Sequence, residues 1–235
     1  QAEREMVVPY NAASKATPPK VVRKEVNYFQ PDEIAAIWGA LESEPLKWRM
    51  ITHLLIVTDC RRGEITGLKW EKIDWENRRI KVDTNLLYSK ERGLYEDTTK
   101  TGNVRYIPLA VETLHLLHKF RAEQNRLRLI NGDRWQDTGF VFTQDNGLPM
   151  HPGSIGSWLN KFSTRHGLPH INPHAFRHTA ASVLIANGID VVTVAKMLGH
   201  SQVSTTDNIY AHIIEEERTK ASECLADVIL RRKGS

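Results

Sequence analysis

His174-Ala175-Phe176-Arg177-His178-Thr179-Ala180-Ala181-Ser182-Val183-Leu184 is the stretch on which the reading of this chain turns. Phe176, Ala180, Val183 and Leu184 recur at helical spacing and form one apolar stripe, which Asn187-Gly188 brings to an end. His174, Arg177 and His178 fall at i, i+3 and i+4, so a second stripe carries two imidazoles and a guanidinium backed by core packing. The guanidinium fork suits two oxygens of a phosphate. An imidazole beside it can donate or accept a proton near neutral pH. A capping His, a surface Arg and a half-buried His would make the same helix, so the stretch alone leaves both readings open. His174 and His178 also have the i, i+4 spacing of zinc ligands, but Ala175 stands where a metalloprotease needs Glu, and no Cys pair or acidic cluster lies nearby. A metal site is not expected.

On the C-terminal side, Asp190 reads as the N-cap of a further helix with Val191, Val194, Ala195 and Leu198 on one face and Gly199 at its end. Ala221, Cys224, Leu225, Val228 and Ile229 then mark an amphipathic helix over about 215–230. On the N-terminal side, Pro31 and Glu33 signal a helix start, followed by Ile34, Ile37, Trp38 and Leu41 at helical spacing. Trp48 to Val57 predicts a more buried helix, and Gly63 to Leu68 a short one. The period then changes. Arg79–Val82 and Val104–Leu109 alternate polar and apolar, as half-buried antiparallel strands joined by turns do. Helix is predicted again from Val111 to Leu129, a short strand and turn at Phe140-Val141-Phe142 and Asn146-Gly147, and a helix from Pro152 to about Phe162. The fold class is therefore α+β, mostly helical with a small antiparallel β-sheet.

Residues 1–24 hold Pro9, Pro18 and Pro19, small residues at Ala12-Ala13-Ser14, and no sustained period. They read as a linker from a preceding domain, with the ordered domain spanning 25–235. The 235 residues, 40% hydrophobic and 26% charged, suffice for one substantial core. No apolar run is long enough to span a bilayer and nothing at the start reads as a signal peptide. Two cysteines, Cys60 and Cys224, give no disulfide framework and make a reducing cytoplasm the expected compartment. A net charge of +4 and a pI of about 9.0 lean towards a polyanionic partner.

Three other segments carry chemistry of this kind. Arg61-Arg62-Gly63-Glu64 stands at a helix start, Lys100-Thr101-Gly102 at a strand turn, and Leu198-Gly199-His200 precedes Tyr210 and His212. Taken in order, these residues resemble the tyrosine recombinases, the family of phage and conjugative-transposon integrases, from about Asn27 to His212. The first box, Arg with Glu three residues on and a Leu-x-Trp end, looks like Arg61, Glu64 and Leu68-Lys69-Trp70. The β-hairpin Lys looks like Lys100, with Lys81 and Lys90 as alternatives in the same region. The His-x-x-Arg box looks like His174 and Arg177, the later His like His200, and the nucleophile like Tyr210 with His212 in a Tyr-x-His context. Two departures stand out: Asp59 where many members have Gly, and Phe176 in place of a frequent Leu. Neither is expected to touch a catalytic position.

The resemblance implies the tyrosine recombinase catalytic-domain fold, behind a core-binding domain that the linker would follow. It implies a DNA integrase or recombinase that cuts and rejoins through a 3′-phosphotyrosyl link, without metal, ATP or other cofactor. Tyr210 would attack, Arg61, Arg177 and His200 would hold the phosphate, Lys100 would protonate the leaving 5′-oxygen, and His174 would relay the tyrosine proton. Glu64, His178 and His212 would support them. The implied partners are double-stranded DNA and further copies in a DNA-bound tetramer, monomeric when free, with accessory DNA-bending proteins. The implied setting is a bacterial cytoplasm, whether the gene is bacterial or phage-borne. Type IB topoisomerases share the chemistry, and the two helices over 175–198 resemble a helix-turn-helix regulator by pattern. The first rival lacks the Leu-Gly-His spacing, and the second leaves Arg61, Lys100, His200 and Tyr210 without a role.

Overall fold

The computed structural model describes residues 28–98, 104–197 and 219. Lys100, His200, Tyr210 and His212 lie outside the described residues, as does the expected linker at 1–24, and of the expected helix 215–230 only Thr219 is described. Seven α-helices and five strands are described, α1 Pro31–Leu41, α2 Leu46–Val57, α3 Arg62–Thr66, β1 Ile73–Asp74, β2 Arg79–Val82, β3 Thr84–Ser89, β4 Gly93–Thr98, β5 Arg105–Pro108, α4 Val111–Asn131, α5 Gly153–Arg165, α6 Pro173–Ala186 and α7 Val191–Met197.

Helix starts follow local chemistry. The Glu33 carboxylate accepts the Gln30 N–H at 2.8 Å, with Pro31 opening α1. Asn172 Oδ1 accepts the Ala175 N–H at 2.9 Å ahead of Pro173, which fixes where α6 begins and hence where His174 and Arg177 project. Asp190 Oδ1 accepts the Thr193 N–H at 2.9 Å and caps α7. The main core joins Ile37 and Leu41 of α1, Met50, Ile51, Leu54 and Leu55 of α2, Leu114, Leu117 and Phe120 of α4, Ile155, Leu159 and Phe162 of α5, and Phe176 of α6. Trp48 stacks on Trp158 at 4.6 Å, closing α2 on α5. A smaller cluster of Ala181, Ile185 and Val194 packs α6 against α7.

The strands differ from the sequence expectation. Arg79–Val82 does pair antiparallel with the second expected strand, in the register Arg79↔Pro108 to Val82↔Arg105, and β1 completes a sheet of order β1-β2-β5. The two are not joined by a turn. A second antiparallel pair, β3–β4, with Ser89 opposite Gly93, is inserted between them. Its strands lack the in-out alternation that the period argument relies on, since β4 ends in three exposed residues. Phe140–Phe142 is buried but forms no regular strand. Phe140 makes a single bridge to Lys69, and the amide of the buried Gln124 donates to the Phe140 and Val141 carbonyls at 3.2 and 2.9 Å.

The β3–β4 pair matters because β3 lies against α3 without room for side chains. A methyl group on Gly63 would sit 2.0 Å from Asn85 Oδ1 and 2.8 Å from the Leu86 carbonyl, and one on Gly67 would sit 3.0 Å from the Leu86 nitrogen. Glycine at these positions lets the helix carrying Arg61 and Glu64 rest directly on the hairpin backbone. Among the described residues no helix is long and apolar enough to cross a membrane.

Candidate active site

Arg61 is the N-cap of α3, in extended conformation, and its side chain points to a cleft of about 490 Å³. Arg62, Asn85, Tyr88, His151, His174 and Arg177 also line that cleft. The structure therefore brings Arg61, His174 and Arg177 together although 113 positions separate Arg61 from His174 in the chain (174 − 61). His178 does not line the cleft formed by the described residues; it is half-buried on α6. At about 100° of rotation per residue His178 lies about 40° from His174 and Arg177 about 60° from it on the other side, so the three share one stripe of α6 with His174 between the other two. Of the three, His174 and Arg177 line the cleft that the described residues form.

Glu64 is the hub of the arginine network. It is 4% exposed, and Oε2 accepts the Arg61 N–H at 2.8 Å while Oε1 accepts from Arg61 Nη1 at 3.1 Å. The same carboxylate takes Arg105 Nη2 at 2.6 Å and Nη1 at 3.3 Å. Arg105 comes from β5, where it shares the inward face with Ile107, and its Nη2 also approaches Cys60 Sγ at 3.8 Å. One buried carboxylate thus anchors two arginines, which fixes the Arg61 backbone and head group without neutralising the cleft. The sequence reading passed over Arg105 as a residue of the site. Its signal was an Arg two positions before a buried Ile in an alternating strand, a charge facing inward that must meet an acid.

Arg177 projects from α6 and is 8% exposed. Its Nη1 donates to the Asp59 carbonyl oxygen at 2.9 Å and lies 3.2 Å from Asp59 Oδ2. That carboxylate distance suits an ion pair, but the approach is off line for a hydrogen bond. Asp59 follows the C-cap residue Thr58 of α2 and has φ +55°, the left-handed conformation that Gly usually supplies when a helix ends. This conformation fits the Gly that the family resemblance leads one to expect at that position. It also corrects the expectation that the departure at Asp59 touches no candidate catalytic residue.

Partial desolvation, reinforced by the cations of Arg177, Arg62 and Arg61, holds the His174 pKa below the ordinary histidine value. This favours the neutral imidazole at neutral pH. Burial pushes the Cys60 thiol up to about 11, so this cysteine is an inert neighbour and no nucleophile. Among the described residues no three His, Cys, Asp or Glu side chains gather as metal ligands. Phe176, fully buried, packs on Phe29 at 5.5 Å, and the Phe29 N–H donates to Thr179 Oγ1 at 2.8 Å, so the chain entering α1 braces α6 from behind.

The phage integrase family model matches residues 27–217. A XerC-like tyrosine recombinase of Caldanaerobacter subterraneus subsp. tengcongensis is 32% identical over 226 residues, covering 91% of this chain and 57% of the relative. The ICEBs1 integrase of Bacillus subtilis is 25% identical over 89% of this chain and 56% of its own length. This chain thus spans somewhat over half of the curated relatives it matches. Among solved structures, the Tn1549 transposon integrase in complex with transposon right end DNA superposes with a TM-score of 0.73 at 24% identity, over 92% of this chain and 70% of that one. The fold is that of tyrosine recombinase catalytic domains. With the family model matched over residues 27–217 and a relative 32% identical over 91% of this chain, the chain belongs to the phage integrase family.

Proposed function

We propose that this chain is the catalytic part of a site-specific DNA recombinase that cuts and rejoins duplex DNA through a 3′-phosphotyrosyl intermediate. One observation carries the reading: Arg61, Arg177 and His174 line a single cleft, with the Arg61 guanidinium held by the Glu64 carboxylate and that of Arg177 by the Asp59 backbone carbonyl. Such a cleft is built for a phosphodiester. The transition state spreads negative charge over the non-bridging oxygens, and two preorganised guanidiniums lower its energy, each donor being worth about 10²–10³ in rate.

In the proposed step Tyr210 oxygen attacks the scissile phosphorus, the bond to the 5′-oxygen breaks, and a phosphotyrosyl ester forms. His174 takes the tyrosine proton, for which an unprotonated imidazole is required. Lys100 gives a proton to the departing 5′-oxygen, and His200 adds a hydrogen bond to the phosphate. Attack by the 5′-hydroxyl of a partner strand reverses the chemistry and restores Tyr210. Splitting the exchange into two transfers conserves the ester energy, so no ATP is consumed. The partner DNA is bound as a duplex, with affinity set largely by phosphate contacts and hence by salt. A core-binding domain joined through residues 1–24 closes the clamp, and four copies act together on DNA in a bacterial cytoplasm, with DNA-bending proteins as accessories. The names of the relatives, integrases and tyrosine recombinases, support this reading.

The test is a nicked duplex carrying the attachment site found beside the gene. Parent protein should leave a DNA adduct that survives denaturation, and Tyr210→Phe should leave none. An undiminished adduct in that variant would sink the assignment.

A further inference from the structure

Asp59 is a buried acid with an unusual position. It is 7% exposed, takes a left-handed backbone conformation, and among the described residues neither carboxylate oxygen receives an aligned hydrogen bond. It does not line the cleft. It lines a separate apolar hollow, with Ile34, Val57, Ile107, Ala180 and Met197, on the other side of the Arg177 guanidinium. Among the described residues the charged groups near it come from several elements. Arg177 approaches from α6, Arg105 from β5, Arg61 and Glu64 from α3, and Lys196 of α7 lines the same hollow. A stabilising surface ion pair would not be buried in this way, and an acid kept only for its backbone turn would be served as well by Gly.

We propose that Asp59 is a positioning residue of the phosphate site: from the side of Arg177 away from the cleft it holds the guanidinium through its carbonyl oxygen, and its carboxylate, when ionised, competes with a bound phosphate for the same charge. The inference rests on the reading of the cleft as a DNA phosphate site. Its chemical consequence is a proton linked to binding. Burial pushes the Asp59 carboxyl up to about 8, against the opposing pull of Arg177 and Arg105. A phosphate arriving on Arg177 adds a further negative charge nearby and raises that value again, so DNA binding takes up a proton at Asp59. Affinity therefore falls as pH rises above about 8, with a limiting slope of about tenfold per pH unit for one proton.

The experiment measures Kd for the nicked attachment-site duplex by fluorescence anisotropy at fixed ionic strength, from about pH 7 to about pH 10, with adduct formation read on the same samples. Asp59→Asn keeps the shape and tolerates the left-handed backbone while removing the charge. The parent should lose affinity above about pH 8, and the Asn variant should lose this slope and bind several-fold more tightly than the parent at the alkaline end. Asp59→Gly, which relieves the backbone conformation, provides the second variant and should behave like Asn. A slope unchanged in both variants, or no slope in the parent, overturns the proposal. A lost slope without any adduct in the parent would uphold the coupling and reject the recombinase reading instead.

Discussion

Replacing Glu64 by Ala tests how the arginine network is held. The carboxylate accepts four hydrogen bonds, two from Arg61 and two from Arg105, and is almost fully buried. Removing one partner of a buried pair leaves an uncompensated charge and costs about 3–5 kcal/mol. Arg105 keeps 20% of its side chain exposed, so the low end applies, about 3 kcal/mol. The Arg61 side chain is 33% exposed and screened by solvent, and its ion pair adds about 0–1 kcal/mol. At about 2–4 °C per kcal/mol for a domain of this size, the total of about 3–4 kcal/mol should lower Tm by about 6–16 °C, read by circular dichroism or differential scanning fluorimetry. The double variant Glu64→Ala/Arg105→Ala should recover part of the loss, because the stranded guanidinium is gone, with a coupling energy of about 0.5–3 kcal/mol. A Tm for Glu64→Ala within about 2 °C of the parent, or strictly additive losses in the double variant, would refute the reasoning.

Gly63→Ala should lower stability by about 1–3 kcal/mol, since the added methyl meets the Leu86 carbonyl at 2.8 Å and backbone must shift, and urea melts will read it. Phe176→Ala removes a fully buried ring between α6 and Phe29 and should cost about 3–5 kcal/mol by the same assay. NMR titration should place the His174 midpoint below 6.5. Because the unfolded chain then binds a proton that the folded site does not, this residue withdraws stability as pH falls below 6.5, and a midpoint above that value would contradict the assigned environment. For Asp59 the sign is also set by the retained proton. Between 3.8 and about 8 the folded protein holds a proton that the unfolded chain has released, so stability falls as pH rises through that window. Asp59→Asn should flatten the fall in a series of urea melts, and an unaltered pH profile would count against the burial argument.

The helices were legible because their information is local. The Asp190 cap and the apolar period of α1 act within a few residues and place Ile37 and Leu41 in the core, but on α6 the expected stripe is not the buried face: Val183 is exposed and burial runs through Ala175, Phe176, Thr179 and Ser182. Arg61, Glu64, His174 and Arg177 were legible for another reason, a spaced pattern of residue types shared with a family. The sequence by itself determined which residues could form a phosphate site, and that the chain folds as helices around a little β-structure. Only the tertiary structure decided which of them share a cleft. It brought Arg105 in through the register of β5 against β2, and put the β3–β4 pair beneath α3 where two glycines let backbones touch. It also turned Asp59 from an incidental departure into the group behind Arg177. These are meetings of residues far apart in the chain, fixed by packing and strand register, and a local period carries no term for them.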